Sequence, residues 1–256
     1  MGEAIIAGAA HNGVAAPGDI AVSELIAARR EYLSKTYGVE TSDSAERAVT
    51  GSEIVVLAVK PQEFATAGKA LAGGLNGSQT VISIMAGVTI EAIRSTLKHE
   101  VIVRAIPNTP AQIGEGMTVW TATPAVSEVA RESVRGILNV LGYELYVADE
   151  KYVDMATAVS SSGPAYIFLV IEALIDAAVH IGLRRDMAVP MVIQTVLGAA
   201  RYAQETGKHP AELRNQVTSP GGTTTEGLLA LEEAGLRAAF TTAVEAAYEK
   251  AKRLGG

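Results

Sequence analysis

Ile54-Val55-Val56-Leu57-Ala58-Val59, followed at once by Lys60-Pro61, is the stretch that decides the fold. An unbroken apolar run that stops at a turn signal matches a parallel strand buried on both faces. The pattern recurs at residues 80–84 (Thr-Val-Ile-Ser-Ile) and 101–106 (Val-Ile-Val-Arg-Ala-Ile), with helix-like residues 89–97 between them. Toward the amino terminus, residues 2–10 and 24–37 read as helices, the second closed by Gly38. Between them Ile20-Ala21-Val22 reads as a short strand after the turn Pro17-Gly18-Asp19. Toward the carboxyl terminus, residues 117–121 and 144–147 read as strands flanking a helix over 127–141. Strands alternating with helices predict an α/β domain with a parallel sheet and right-handed crossovers.

After about Asp149 the strand signal ends. Residues 150–159, 164–181, 185–205, 210–216, 223–233 and 236–252 all read as helices bounded by Gly or Pro. Pro190 falls inside one of them, marking a kink or, if the helix starts later, its first turn. The domains are therefore expected at 1–149 and 150–256. The stretch from Tyr166 to Ile181 carries almost no charge beyond Glu172 and Asp176, so it must bury against its neighbours or a second copy. A homodimer is expected.

Composition narrows the function classes. Of 256 residues, 48% are hydrophobic and 19% charged, which excludes global disorder. The net charge of −7 argues against a nucleic-acid partner. The absence of Cys excludes disulfides, thiolate catalysis and Cys-held zinc. The first ten residues lack the basic flank and long apolar core of a signal peptide. The longest uncharged stretch, residues 155–171, has Ser160-Ser161-Ser162-Gly163-Pro164 at its centre, unlike an ordinary membrane span. A cytoplasmic protein with no membrane partner is expected. His11, His99, His180 and His209 are scattered, so no metal site is expected.

Ligands of open parallel sheets bind beyond the carboxyl ends of the strands. Ala58-Val59-Lys60-Pro61, Met85-Ala86-Gly87 and Pro107-Asn108-Thr109-Pro110 lie there, as a dinucleotide crevice or as plain tight turns. A second candidate is Ser219-Pro220-Gly221-Gly222-Thr223-Thr224-Thr225-Glu226, a Gly-Gly bend running into a helix start. Its free amides and hydroxyls suit a small carboxylate. The plainer alternative is a Thr N-cap with Glu226 closing a capping box. Ser160 to Tyr166 reads as a helix start rather than a catalytic serine.

Together these segments resemble the pyrroline-5-carboxylate reductases. The residues that carry the resemblance are Pro210, Leu213, Val217-Thr218-Ser219-Pro220-Gly221-Gly222, Thr224, Gly227, Leu228, Leu231 and Glu232. Ala58 to Pro61, Ala86-Gly87-Val88, Pro107 to Pro110 and Ser162 to Tyr166 follow the family's order. The resemblance implies a Rossmann-type domain followed by an all-α dimerisation domain, with dimers building decamers in some members. It implies hydride transfer from NADPH or NADH to 1-pyrroline-5-carboxylate, giving L-proline in the last biosynthetic step. By resemblance, the catalytic residue is Thr224, its hydroxyl on the ring nitrogen. Thr223, Thr224, Ser219 and Gly222 hold the carboxylate, and Glu150 and Gln216 complete the substrate site. Cofactor contacts are implied for Met1, Ser23, Ser44, Ala58, Val59, Lys60, Pro61, Ala86 and Asn108. Glu24 and the nearby Arg29 and Arg30 leave the preference between NADH and NADPH open.

The family pattern opens with a strand and a Gly-x-Gly-x-Met-Gly loop, whereas this sequence starts at the Met-Gly. A start placed too far downstream or a truncated chain is the simplest account. It implies a gap in the sheet, fewer backbone donors for the phosphates, and weak dinucleotide binding. The rivals are a hydroxyacid-type dehydrogenase and a non-catalytic helical dimerisation module. The first generally places a Lys on the early helices of its helical domain, where this chain has only Lys151.

Overall fold

The computed structural model describes residues 1–255. The chain divides into two compact units, one comprising Met1–Pro164 with the residues from Ala246 on, the other Ala165–Glu245.

The first unit holds every strand. β1 (Ala21–Ser23) and β2 (Glu40–Ser42) pair in parallel as a separate two-stranded sheet. β3 (Ile54–Leu57), β4 (Thr80–Ser83), β5 (Ile102–Ile106), β6 (Gly116–Ala122) and β7 (Gly142–Tyr146) form a five-stranded sheet in chain order. The expected interruption is therefore present: no described strand joins β1 to β3.

One expectation is corrected, because β5 and β6 run antiparallel while the other neighbours are parallel. Residues 107–115 between them hold only a 3-10 turn over Thr109–Ile113, ended by Gly114 in the left-handed region. That is too short for the crossover a parallel return requires. β2 was not expected at all: Glu-Thr-Ser carries no apolar run, and its strand state comes from pairing with β1.

The helices of this unit are α1 (Gly2–His11), α2 (Ala27–Tyr37), α3 (Ala45–Val49), α4 (Phe64–Leu71), α5 (Ile90–Leu97), α6 (Glu128–Asn139) and α7 (Lys151–Ala156). Ser44, Thr89 and Ser127 cap α3, α5 and α6 with side-chain oxygens. α1 ties the two sheets together: Ile5 packs with Ala111, Val140 and Leu141, and Ile6 with Leu33 and Val39 beside β1.

After α7 the backbone continues through a π-helical turn, Thr157–Ser161, into α8 (Gly163–His180). The serine run therefore does not start a new helix, and the apolar rod Lys151–His180 is by length and composition able to cross a membrane. Its first turns are anchored, with Val153 and Ala158 buried, and the compact unit runs on to Pro164. Pro164 has no amide for the carbonyl of Ser160, and Asn108 Nδ2 bonds that oxygen instead at 3.0 Å. Past Pro164 come α9 (Arg185–Thr206), α10 (Pro210–Gln216), α11 (Thr223–Glu233) and α12 (Leu236–Gly255). α9 starts at Arg185, which places Pro190 inside the helix rather than in its first turn. Within the second unit large apolar side chains stand open, among them Phe168 (61% exposed) and Leu169 (64%). A face of that kind on an isolated chain marks an interaction surface.

Candidate active site

The carboxyl ends of β3, β4 and β5 lead to Ala58-Val59-Lys60, Met85-Ala86-Gly87 and Pro107-Asn108, so three of the predicted loops lie along one edge of the sheet. Gly2 opens α1 beside this edge: a Cβ added there would stand 3.1 Å from Ala58 Cβ. The amides of the first turn of α1 have no acceptor inside the helix. A helix amino end pressed against the end of a parallel strand is the geometry that receives a dinucleotide pyrophosphate. The residues present thus fit a dinucleotide, with Met1 exposed at the helix start. Lys60 is exposed, precedes the turn at Pro61, and forms no ion pair among the described residues.

Ser23 ends β1 and is exposed, while Ser44 caps α3. Next to Ser23, Glu24 Oε1 accepts the Ile26 amide at 2.9 Å. Arg30 Nη1 donates to the carbonyls of Glu24 (2.7 Å) and Leu25 (2.9 Å), which fixes one guanidinium over this loop. The other, Arg29, is drawn away by Glu3. Asn108 is engaged at both ends of its amide, with Oδ1 accepting the Met117 amide at 2.9 Å. The two bonds fix the loop that follows β5.

Glu3 also accepts from Tyr37 at 2.8 Å and Tyr32 at 3.0 Å. The Arg29 hydrogen bond foremost, then Tyr37, holds its carboxyl below the ordinary 4.5, and the same carboxylate pushes Tyr37 up to about 12. A carboxyl depressed in the folded state stabilises above its unfolded value and loses that contribution as pH falls through the folded one. Glu3→Gln is therefore expected to melt below wild type at pH 7, with the difference closing once pH drops under the ordinary 4.5. Paired melts across pH check this; a gap constant from neutral to strongly acidic pH contradicts it.

The Gly-Gly bend lies in the second unit. Gly221 adopts φ +68°, and Gly222 serves as N-cap of α11 with no side-chain capping bond. The capping-box alternative is not what forms. The Gly222 amide bonds Ser219 O at 3.0 Å, and Thr225 Oγ1 bonds the same oxygen at 2.9 Å. Among the described residues the amides of Thr223 and Thr224 and the Thr224 hydroxyl take no acceptor or donor. A Cβ on Gly222 would lie 2.5 Å from Ser219 Oγ, so glycine is what lets that hydroxyl sit over the bend. The result is two free amides and exposed hydroxyls at the positive end of a helix, a receptor for a small anion. Gln216 is engaged only loosely, 3.5 Å from Tyr202 Oη and 3.4 Å from Glu212.

Glu150 belongs to the first unit, where Oε1 accepts the Ile90 amide at 2.8 Å and Arg104 Nη1 at 2.7 Å. Arg104 and Asp154 were not anticipated. The available signal was a lone charge inside the apolar run Val101 to Ile106. A hollow of this unit, about 450 Å³ and lined by Ser52, Asn76, Ser78, Ser127 and Ser133, opens at the amino ends of β3 and β4. It is at the wrong end of the strands for the cofactor.

Comparisons with known proteins bear on the family and the fold. Residues 150–254 match the family model described as pyrroline-5-carboxylate reductase dimerisation, and residues 1–87 match NADP oxidoreductase coenzyme F420-dependent. The pyrroline-5-carboxylate reductase of Synechocystis is 44% identical, covering 100% of this chain and 95% of the relative. That of Escherichia coli is 37% identical, covering 99% and 94%. Among solved structures, the Coxiella burnetii pyrroline-5-carboxylate reductase superposes with TM-score 0.91 at 35% identity, covering 100% of this chain and 95% of that one. The Plasmodium falciparum pyrroline carboxylate reductase, solved with NADP bound, gives 0.90 at 32% with the same coverage.

Proposed function

Since the chain belongs to the pyrroline-5-carboxylate reductase family, we propose that the Gly-Gly bend of its second unit holds the substrate and the strand ends of its first unit hold the cofactor. The reaction is reduction of 1-pyrroline-5-carboxylate to L-proline with NAD(P)H, in proline biosynthesis. The bound dinucleotide supplies the hydride. A cyclic imine needs no nucleophile from the protein, so the chain's own work is orientation and charge stabilisation. The Thr223 and Thr224 amides and the Ser219 hydroxyl hold the substrate carboxylate, and Thr224 Oγ1 bonds the ring nitrogen. Gln216 and Glu150 border the substrate. Ser23, Ser44, Ala58, Val59, Lys60, Pro61 and Ala86 line the cofactor crevice, with the start of α1 at the phosphates. The observation that supports this most directly is the uncapped helix start at Gly222, with two amides left over.

The chain forms a dimer, through the segment matching the dimerisation model. That segment contains the whole of the apolar rod Lys151–His180, so a second copy rather than lipid covers it. We place the functional boundary between domains at 149/150, where that match begins, and the protein in the cytoplasm. Assembly of dimers into a decamer is the further reading.

The test is proline formation from 1-pyrroline-5-carboxylate with NADPH or NADH, alongside melts of the full chain with each nucleotide. A ligand that binds only the native state raises Tm. Turnover together with a nucleotide-dependent rise in Tm is expected. No product and no rise would leave only a non-catalytic dimerisation module.

A further inference from the structure

β5 buries a full positive charge: Arg104 is 1% exposed. Its guanidinium forks onto two carboxylates of the following helical segment, Glu150 Oε1 at 2.7 Å and Asp154 Oδ1 at 2.6 Å. These stand one turn apart, Glu150 as N-cap of α7 and Asp154 within its first turn. Arg104 Nε is buried without a partner. A buried ion cluster is weak evidence for stability, and an unpaired buried donor is a cost. The arrangement therefore calls for a role other than holding the fold.

That role is visible at the other side of Glu150. The same Oε1 accepts the amide of Ile90, the first residue of α5. Ile90 closes the bend that begins after β4 and contains Met85, Ala86 and Gly87, with Gly87 at φ +74°. Thr89 Oγ1 takes the Ala92 amide, so the start of α5 is fixed by its own cap and by a carboxylate that Arg104 aims. At the near end of the bend, the Met85 amide bonds Ser83 Oγ. The loop is thus pinned at both ends, and the far pin depends on the buried arginine.

We propose that Arg104 is a positioning residue for the cofactor: by holding Glu150 Oε1 on the Ile90 amide it sets the loop carrying Ala86 at the end of β4. This rests on the reading of Ala86 as a cofactor contact. Glu150 Oε2 has no partner among the described residues, and the side chain is 30% exposed, so the anchoring oxygen and the oxygen open to substrate are different atoms.

Asp154→Asn weakens the ion cluster without touching the Glu150–Ile90 link, whereas Arg104→Met removes the group that aims Glu150. Both are measured on the full-length dimer for Tm and, without substrate, for NADPH affinity by nucleotide titration. Asp154→Asn is expected to lower Tm while leaving the NADPH Kd within about twofold. Arg104→Met is expected to raise Kd about tenfold, the loss of one charge-assisted anchor. Arg104→Lys, which retains a donor, recovers part of it. Unchanged Kd in Arg104→Met overturns the proposal, as does a Kd that follows Tm equally in both variants. If Arg104→Met fails to fold, Glu150→Ala at its part-exposed site answers under the same criterion. Ala86→Leu separates the underlying reading: a raised Kd there with none in Arg104→Met leaves Ala86 in the crevice and removes the arginine from its role.

Discussion

Gly142→Val is expected to cost the first unit about 3 kcal/mol or more, combining backbone strain with overpacking. Gly142 opens β7 at φ +129°, opposite Gly116 in the parallel pairing with β6. A Cβ there would stand 2.3 Å from Gly116 O and 2.5 Å from Gly116 N. Both are backbone atoms of a strand held by Gly116 N to Leu141 O at 2.7 Å, so neither can swing aside as a side chain would. For a domain of this size each kcal/mol moves Tm by ~2–4 °C, so a fall of about 10 °C is expected. Gly136 is the internal control. It lies in α6, and a Cβ there would meet nothing within 4 Å. Gly136→Ala should raise stability by ~0.5–1 kcal/mol, since alanine loses less backbone freedom in a helix. Melts of both variants by far-UV circular dichroism decide it. A Gly142→Val chain melting with wild type would mean that β6 and β7 do not pair in this register.

The parts of the fold that the sequence made legible are those where local pattern and burial agree. The runs at residues 54–59, 80–84 and 101–106 became β3, β4 and β5, and Ser127, Thr89 and Gly38 ended or began helices as their chemistry dictates. The bounds of α10 and α11 match residue for residue, because Pro210 and the Gly-Gly bend punctuate them. What was not legible depends on partners distant in the chain. β2 is polar and exists by pairing with β1, and the direction of β6 follows from the length of its connection. The helix running past Ser160 to Ser162 needs Asn108, some fifty residues earlier, to satisfy the carbonyl that Pro164 leaves open. At the site, the bend around Gly221 and Gly222 announced itself through composition. Arg104 showed only as an anomaly in an apolar strand, since its two carboxylates lie well downstream.

Thr224→Ala is expected to lower kcat/KM by about 10–100-fold, the loss of the hydrogen bond proposed to orient the charged ring nitrogen. Its Tm should stay near wild type. The structure separates the threonines of the bend by what each hydroxyl does. Thr225 Oγ1 bonds Ser219 O at 2.9 Å and so belongs to the bend itself. Thr224 Oγ1 has no partner among the described residues, and alanine is the better helix former in the first turn of α11. Removing it takes nothing from the fold. Thr225→Ala is expected to do the reverse, lowering Tm through loss of the Ser219 contact, with activity falling only as far as the bend loosens. Because the imine is already reactive toward hydride once protonated, the part proposed for Thr224 is to orient the ring nitrogen, so kcat is expected to fall even with substrate and cofactor saturating. Steady-state kinetics at saturating NADPH, set beside the melts, read both effects. Wild-type turnover in Thr224→Ala under those conditions would strip the hydroxyl of its part in the reaction and leave the bend a carboxylate holder alone.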